Sequence, residues 1–299
     1  MDGAELSRQV KQLGEFYTRF KFIDLDCRKH DYTGGVFVES IFTRCDFSAA
    51  DLSDATFTDC TFEACKFDQA KLCITNFVKC SFKSGTSFIE SDMKYTRLIS
   101  SNLDGVDFNQ AIISQTTFHD SSFESANFSD IKSVEPTFSD CRFLKTNFSG
   151  ADMHRYIFYQ CTFGANQFAG TKLVQGAFVE ACFSGVDFSG LDLTQCQFMK
   201  SKVDGTNFEG ANLLQAGFME ASLVNANFKN ANLEFANLYG SDLTAADFSG
   251  ANLAQASMQK AKLNGTNLNG AKMGMAQLSE ATIELSIFAK ADLNYADMS

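Results

Sequence analysis

The sequence predicts an all-β solenoid of four-sided coils, and three observations carry that expectation. A large apolar residue recurs at every fifth position but one, Ser133, without a shift of phase from Phe88 to Met298. A small residue stands two places before it, most regularly at Ala211, Ala216, Ala221, Ala226, Ala231 and Ala236. Taken every twentieth residue, the large positions also sort by type. One column reads Phe88, Phe108, Phe128, Phe148, Phe168, Phe188, Phe208, Phe228 and Phe248; the next reads Met93, Ile113, Ser133, Met153, Leu173, Leu193, Leu213, Leu233 and Leu253, with no Phe.

A period of five fits neither a simple helix nor a simple strand. Residues two apart share one face of an extended strand, so the small and large residues point inward together while the residue between them faces water. A turn then closes each five. Gly stands two after the large residue at Gly150, Gly170, Gly190, Gly205, Gly210, Gly250, Gly265 and Gly270, where its freedom at positive φ suits a turn. Units this short bury no core alone, so they stack. Four fives make one coil, with an aromatic ladder on one side and an aliphatic one beside it.

The same rhythm runs earlier in a shifted phase, at Phe37, Phe42, Phe47, Leu52, Phe57, Phe62, Phe67, Leu72, Phe77 and Phe82. One extra residue lies within 83–87, and a bulge at Gly85 brings the columns of both stretches into line. The chain therefore divides into a capping helix over 1–21 and one solenoid over 22–299. In the first segment Leu6, Val10, Leu13, Tyr17 and Phe20 recur at helical spacing, and Asp2 with Glu5 has the pattern of a capping box. Such a helix covers the otherwise exposed end of a first coil. No matching cap is visible at Ala291–Ser299, which is still in repeat.

On these residues the chain resembles the pentapeptide repeat family, whose motif A(D/N)LXX stands here as Ala-Asn-Leu at 211–213, 231–233 and 251–253, and as Ala-Asp at 151–152 and 291–292. The resemblance implies a right-handed quadrilateral β-helix, the handedness coming from the family. About 13 coils at ~4.8 Å spacing make a rod roughly 60 Å long.

Composition narrows the function. The chain has 299 residues, 32 Phe, one Pro, no Trp and a net charge of −11, which argues against nucleic-acid binding through a basic face. Acidic residues exceed basic ones most at 101–150 (seven against three) and 201–250 (six against two). The N-terminus is charged without a long apolar run, and no stretch is long enough to span a membrane, so a cytoplasmic protein is expected. His30, His119 and His154 are the only histidines. No Gly-rich phosphate loop, GxSxG or HExxH occurs, so no catalytic, cofactor or metal residues are assigned. Seven of the ten cysteines, Cys45, Cys60, Cys65, Cys80, Cys141, Cys161 and Cys196, take the small inward slot. They are expected to pack as small apolar residues, although Cys45/Cys65, Cys60/Cys80 and Cys141/Cys161 stack closely enough for disulfides.

Outward columns hold the candidate recognition residues. Tyr159, Val179, Met199, Met219 and Tyr239 form an apolar stripe one place after the large residue, bordered by Gln160, Glu180, Lys200 and Glu220. Such a stripe reads either as an interface, where Met and Tyr are favoured, or as a stacking column. The rhythm weakens at Ile131, Ser133 and Pro136, and one coil on Tyr156 takes a small slot followed by Gly176, which releases space for it.

The leading expectation is a non-enzymatic binding or scaffold protein with an unidentified protein partner. A homodimer through the apolar stripe or the uncapped C-terminal coil stays open. Two alternatives remain. The resemblance implies one, a mimic of duplex DNA that binds a type II topoisomerase (gyrase) and protects it from toxins or quinolones; against it, DNA of this length carries about 35 charges, and the C-terminal aromatic helix of that branch is missing. The other is a secreted bacterial effector that docks on a host protein.

Overall fold

The computed structural model describes residues 1–299, with the backbone alone at Ser184. It contains two compact units, Met1–Asp152 and Met153–Ser299.

The first unit opens with an α-helix at Gly3–Arg8 that continues as a π-helical turn at Gln9–Leu13. Asp2 caps it by accepting the Glu5 amide at 2.9 Å. The reciprocal half of the expected capping box is not made. The Glu5 carboxylate instead accepts from Arg8 at 2.8 and 2.9 Å and from Gln9 at 2.6 Å, and the Arg8 and Gln9 donors hold its pKa at about 2. Leu6 and Val10 are buried, while Leu13 is 55% exposed. The Tyr32 hydroxyl donates to the Gly3 carbonyl at 2.9 Å and Ser7 to the Asp31 carbonyl at 2.7 Å, which fastens the helix to the first coil.

The boundary expected at 21/22 moves forward. Tyr17 and Phe20 leave the helix, because Phe16–Thr18 is already the first strand and pairs in parallel with Val36–Val38. Tyr17 stacks on Phe37 at 5.6 Å as the first inward residue of that side.

Pairing then advances by one coil at a time. In the first unit, successive rungs of one side fall at Phe16, Val36, Thr56, Asn76, Arg97, Thr117 and Thr137. In the second they fall at Ile157, Ala177, Gln197, Gly217, Asn237, Ser257, Gln277 and Asp297. The rungs on this side number seven in the first unit and eight in the second, which differs from the expected count of about 13 coils. Three-residue strands such as Ile157–Tyr159 and Ala177–Val179 give way after Cys182–Ser184 to single-residue bridges separated by tight turns.

Around Gly85 the partner spacing lengthens from 20 to 21, as in Lys66↔Ser87 and Asn76↔Arg97, and returns to 20 at Ser87↔Asp107. The surplus residue is absorbed between Lys83 and Ser87, where Gly85 takes φ 83°. The inward columns keep their alignment: Phe67 stacks on Phe88 at 4.7 Å.

Inside, the expected Phe column is a stack of near-parallel rings. Phe88, Phe108 and Phe128 lie 5.3 and 4.6 Å apart in the first unit; Phe208, Phe228 and Phe248 lie 4.9 and 4.6 Å apart in the second. Phe168 is the looser member, tilted 42° against Phe188. Two residues before it, Asn166 is buried with neither side-chain amide atom hydrogen-bonded, the kind of unsatisfied group that weakens packing locally.

Corners depart from the glycine rule. Apart from Ser84, which stands just before Gly85, every residue two after a large one has positive φ, and the non-Gly cases lie between 48° and 64°. The coil-to-coil ladder holds these corners in the left-handed region; Ile74, for example, donates its amide to the Lys94 carbonyl at 3.1 Å. Ile74 is the least suitable residue there, being β-branched at φ 64° and 55% exposed. Ile74→Asn is expected to raise stability by ~1 kcal/mol, because left-handed backbone disfavours a β-branched side chain by about that much. Urea denaturation checks this, and an unchanged or lowered midpoint contradicts it.

Candidate functional site

The apolar stripe lies wholly within the second unit. Its five residues are brought into one column by backbone bonds between coils: Gln160 donates to the Val179 carbonyl at 2.9 Å, Glu180 to Met199 at 3.0 Å, Lys200 to Met219 at 3.0 Å and Glu220 to Tyr239 at 2.9 Å. Each bond sets a border residue of one coil beside a stripe residue of the next.

The stripe is flatter than an outward position suggests. Tyr159 is 39% exposed, whereas Val179, Met199, Met219 and Tyr239 are half-buried. They sit beside the corner, and each keeps only part of its side chain in contact with water. Ile157, at 43% exposure, enlarges the patch. Sequence reasoning passed over it, although an apolar residue in the otherwise polar place before a large residue was the available signal.

A charged border runs along one edge. Gln160 Nε2 donates to Glu180 Oε2 at 2.8 Å, and Lys200 Nζ and Lys260 Nζ lie 3.8 Å from Glu220 and Glu280. Lys260 also stands over the Tyr239 ring, 5.7 Å from its centroid. These groups are well exposed, so the pairs add little stability; they set the sign of charge beside the stripe. The other edge, at Ala177, Gln197, Gly217, Asn237 and Ser257, is uncharged.

Beneath the stripe lies the Tyr156 substitution. Tyr156 is fully buried and lies over Gly176, where a Cβ would come within 2.2 Å of the ring. Its hydroxyl reaches past that coil to Cys196 Sγ at 3.2 Å, and Cys196 Sγ donates to the Leu173 carbonyl at 2.7 Å. Burial pushes the Cys196 thiol up to about 11 and the Tyr156 hydroxyl well above its ordinary value, so both stay protonated.

The other cysteines follow the same local logic. Cys45, Cys60, Cys65 and Cys80 are buried, and each thiol donates to a carbonyl of a large residue on the preceding coil: Phe22 at 3.5 Å, Phe37 at 3.4 Å, Phe42 at 3.3 Å and Phe57 at 3.4 Å. Thr75, Thr116 and Ser201 make the equivalent bond at 2.8, 2.7 and 2.9 Å. The inward slot thus accepts Cys, Ser and Thr because a short donor reaches that carbonyl. Cys141 and Cys161 are also buried, and all ten cysteines are free thiols.

Among the described residues, no group of three or more His, Cys, Asp or Glu side chains is placed to hold a metal ion. His119 Nδ1 lies 2.9 Å from Ser139 Oγ and 3.5 Å from Asp140 Oδ2. One ring nitrogen faces both partners, whereas a nucleophile relay uses opposite nitrogens. His30 lines an open recess of about 500 Å³ with Asp2, Asp26, Arg28 and Lys29, but Arg28 is engaged by Asp26 at 2.7 Å. His154 is exposed. No helix among the described residues is long and apolar enough to cross a membrane.

Comparison with known proteins agrees with the repeat. The family profile "Pentapeptide repeat region" matches residues 134–208 and 176–248, and "Pentapeptide repeats (8 copies)" matches 40–77, 91–130, 236–274 and 246–284. The chain belongs to the pentapeptide repeat family. No curated protein matches it. Among solved structures it is similar to HetL, a pentapeptide repeat protein involved in heterocyst differentiation regulation from the cyanobacterium Nostoc sp. strain PCC 7120, with 24% identity over 67% of this chain and 88% of that one, and a TM-score of 0.44. A pentapeptide repeat protein from the Arabidopsis thaliana thylakoid lumen is 31% identical over 28% of this chain and 61% of that one, with a TM-score of 0.16. QnrB1, a plasmid-mediated fluoroquinolone resistance protein, is 14% identical over 94% of this chain and 90% of that one, with a TM-score of 0.26.

Proposed function

We propose that the protein is a non-enzymatic binding scaffold whose second unit presents the Tyr159 to Tyr239 stripe, with Ile157 beside it, as its contact face. One observation carries this reading: an outward column holds Tyr, Val, Met, Met and Tyr on five successive coils, although outward positions are free to be polar. The inward residues are consumed by packing, with Phe188, Phe208, Phe228 and Phe248 fully buried. Recognition is therefore left to outward columns, and apolar edges rich in Met and Tyr favour a protein surface over a charged ligand.

Affinity capture from native extract tests the reading with wild type and with Met199→Lys/Met219→Lys. A partner retained by wild type and lost by the double variant is expected. Capture of the same partners by both overturns it.

A further inference from the structure

We infer that the second unit carries a hinge, a seam at which its first coil parts from the next on two sides while the side that bears the stripe stays bonded. The hinge holds whether or not the stripe is a contact face. On the bonded sides the ladder is regular. Ala177 donates its amide to the Tyr156 carbonyl at 2.8 Å and Cys182 to the Cys161 carbonyl at 2.9 Å, and parallel pairing joins Ile157–Tyr159 to Ala177–Val179 and Thr162–Gly164 to Cys182–Ser184.

The other two sides interrupt it. One coil later these sides are closed: Gly190 donates to the Glu209 carbonyl at 2.9 Å and Leu193 to the Asn212 carbonyl at 2.8 Å, and bridges join Asp187 to Asn207 and Asp192 to Asn212. At the seam, among the described residues, Gly170 makes no such bond to Ser189, Leu173 none to Asp192 and Asp187 none to Asn166, and no bridge joins Gln167 to Asp187. The ladder resumes at the following corner, where Gln175 donates to the Thr194 carbonyl at 3.2 Å. Side chains mark the same place. The unsatisfied Asn166 amide lies at the edge of the gap, and the Phe168 and Phe188 rings are tilted by 42°, against 22° for Phe188 and Phe208 and 2° for Phe208 and Phe228. Two coils on from Asn166 in the same inward column, Thr206 Oγ1 is also buried without a partner, whereas Thr266 donates to the Leu243 carbonyl at 2.8 Å.

The cause is an overfilled side. Leu191 occupies the small inward slot that Ala211, Ala231 and Ala251 take on later coils, and it is half-buried where they are buried. A large residue in that slot does not open a seam by itself. Ile131 holds it in the first unit and is fully buried, and there Gln110 donates to the Ser129 carbonyl at 3.0 Å and Ile113 to the Lys132 carbonyl at 3.2 Å. The difference lies two residues on, where Ser133 leaves room in the large slot for Ile131, while Leu191 is followed by Leu193. Two large residues on one side exceed its volume, and overpacking is relieved by a backbone shift. With these backbone groups already unpaired and the Asn166 amide unsatisfied, local opening costs little. Opening is one-sided: Tyr159 and Val179 stay in register while Gln167 and Leu173 swing away from Asp187 and Asp192.

Hydrogen exchange followed by NMR on the full chain tests the hinge. In wild type the Gly170, Leu173 and Asp187 amides are expected to exchange at least ~100-fold faster than those of Gly190, Leu193 and Asn227, the equivalent positions on later coils, with Ala177 and Cys182 as slow as the latter. Leu191→Ala is expected to slow the three fast amides at least ~tenfold, because Ala restores the regular slot and lets the ladder close. Wild-type exchange at Gly170, Leu173 and Asp187 as slow as on the later coils overturns the hinge. Exchange equally fast at Ala177 and Cys182 overturns its one-sidedness, and fast exchange that Leu191→Ala leaves unchanged overturns the overfilled side as its cause.

Discussion

Phe228→Ala is expected to destabilise the second unit by ~3–5 kcal/mol, the range for truncating a buried aromatic residue that its surroundings cannot collapse to fill. Phe228 has no exposed surface and stacks on Phe208 at 4.9 Å and Phe248 at 4.6 Å, with interplanar angles of 2° and 4°. Removing the ring opens a gap between two others held at one-coil spacing by the backbone ladder. The hydrogen bonds from Phe228 to Asp247 at 2.7 Å and from Ala231 to Phe228 at 3.0 Å keep that backbone in place, so the gap stays open. Ser189→Ala, on an exposed outward position of the same face, should change stability by less than about 0.5 kcal/mol. Urea denaturation of both variants checks the pair. Equal effects contradict the division into inward and outward residues.

Gly176→Ala is the second large expectation. The added methyl would meet Tyr156 Cε1, Cζ and Cε2 at 2.2 to 2.4 Å. Tyr156 has no room to withdraw, being fully buried with its hydroxyl at Cys196 and its ring 5.3 Å from Phe178. The variant should lose ~1–3 kcal/mol or more through overpacking. The loss should nearly vanish in a Tyr156→Ala background, where no ring remains to collide. The coupling in a double-mutant cycle is the discriminating quantity, because residues in contact couple by ~0.5–3 kcal/mol. Additive losses would show that Tyr156 and Gly176 act independently.

Most of the inward half of this molecule was legible because a single period governs it. The large position, the small slot two before it and the twenty-residue step follow from side-chain volume and strand geometry alone, and Phe67 over Phe88 shows the columns passing the extra residue near Gly85. Tyr156 over Gly176 was readable for the same reason, since a large residue in a small slot calls for a vacancy on the next coil. The N-terminal boundary was not, because Tyr17 satisfies helical and five-residue spacing at once and only the pairing of Phe16–Thr18 with Val36–Val38 decides between them. Corner conformation was missed for another reason. Gly tolerates positive φ, but the ladder imposes it on Ile74, Tyr95 and Phe235 as well, and composition carries no trace of an imposed backbone. The stripe was visible as a column of apolar letters. Its flatness was not, since the direction a corner side chain takes depends on its neighbours.

The central claim is that inward residues carry the fold while the Tyr159 to Tyr239 column carries association, and the unfolding free energy of Met199→Lys/Met219→Lys tests it most directly. The measurement belongs at sub-micromolar protein, where binding does not add to apparent stability. The account predicts a value within about 0.5 kcal/mol of wild type, as for surface substitutions. A loss of several kcal/mol would show that the column is a stacking element of the fold, and would contradict its assignment as a contact face.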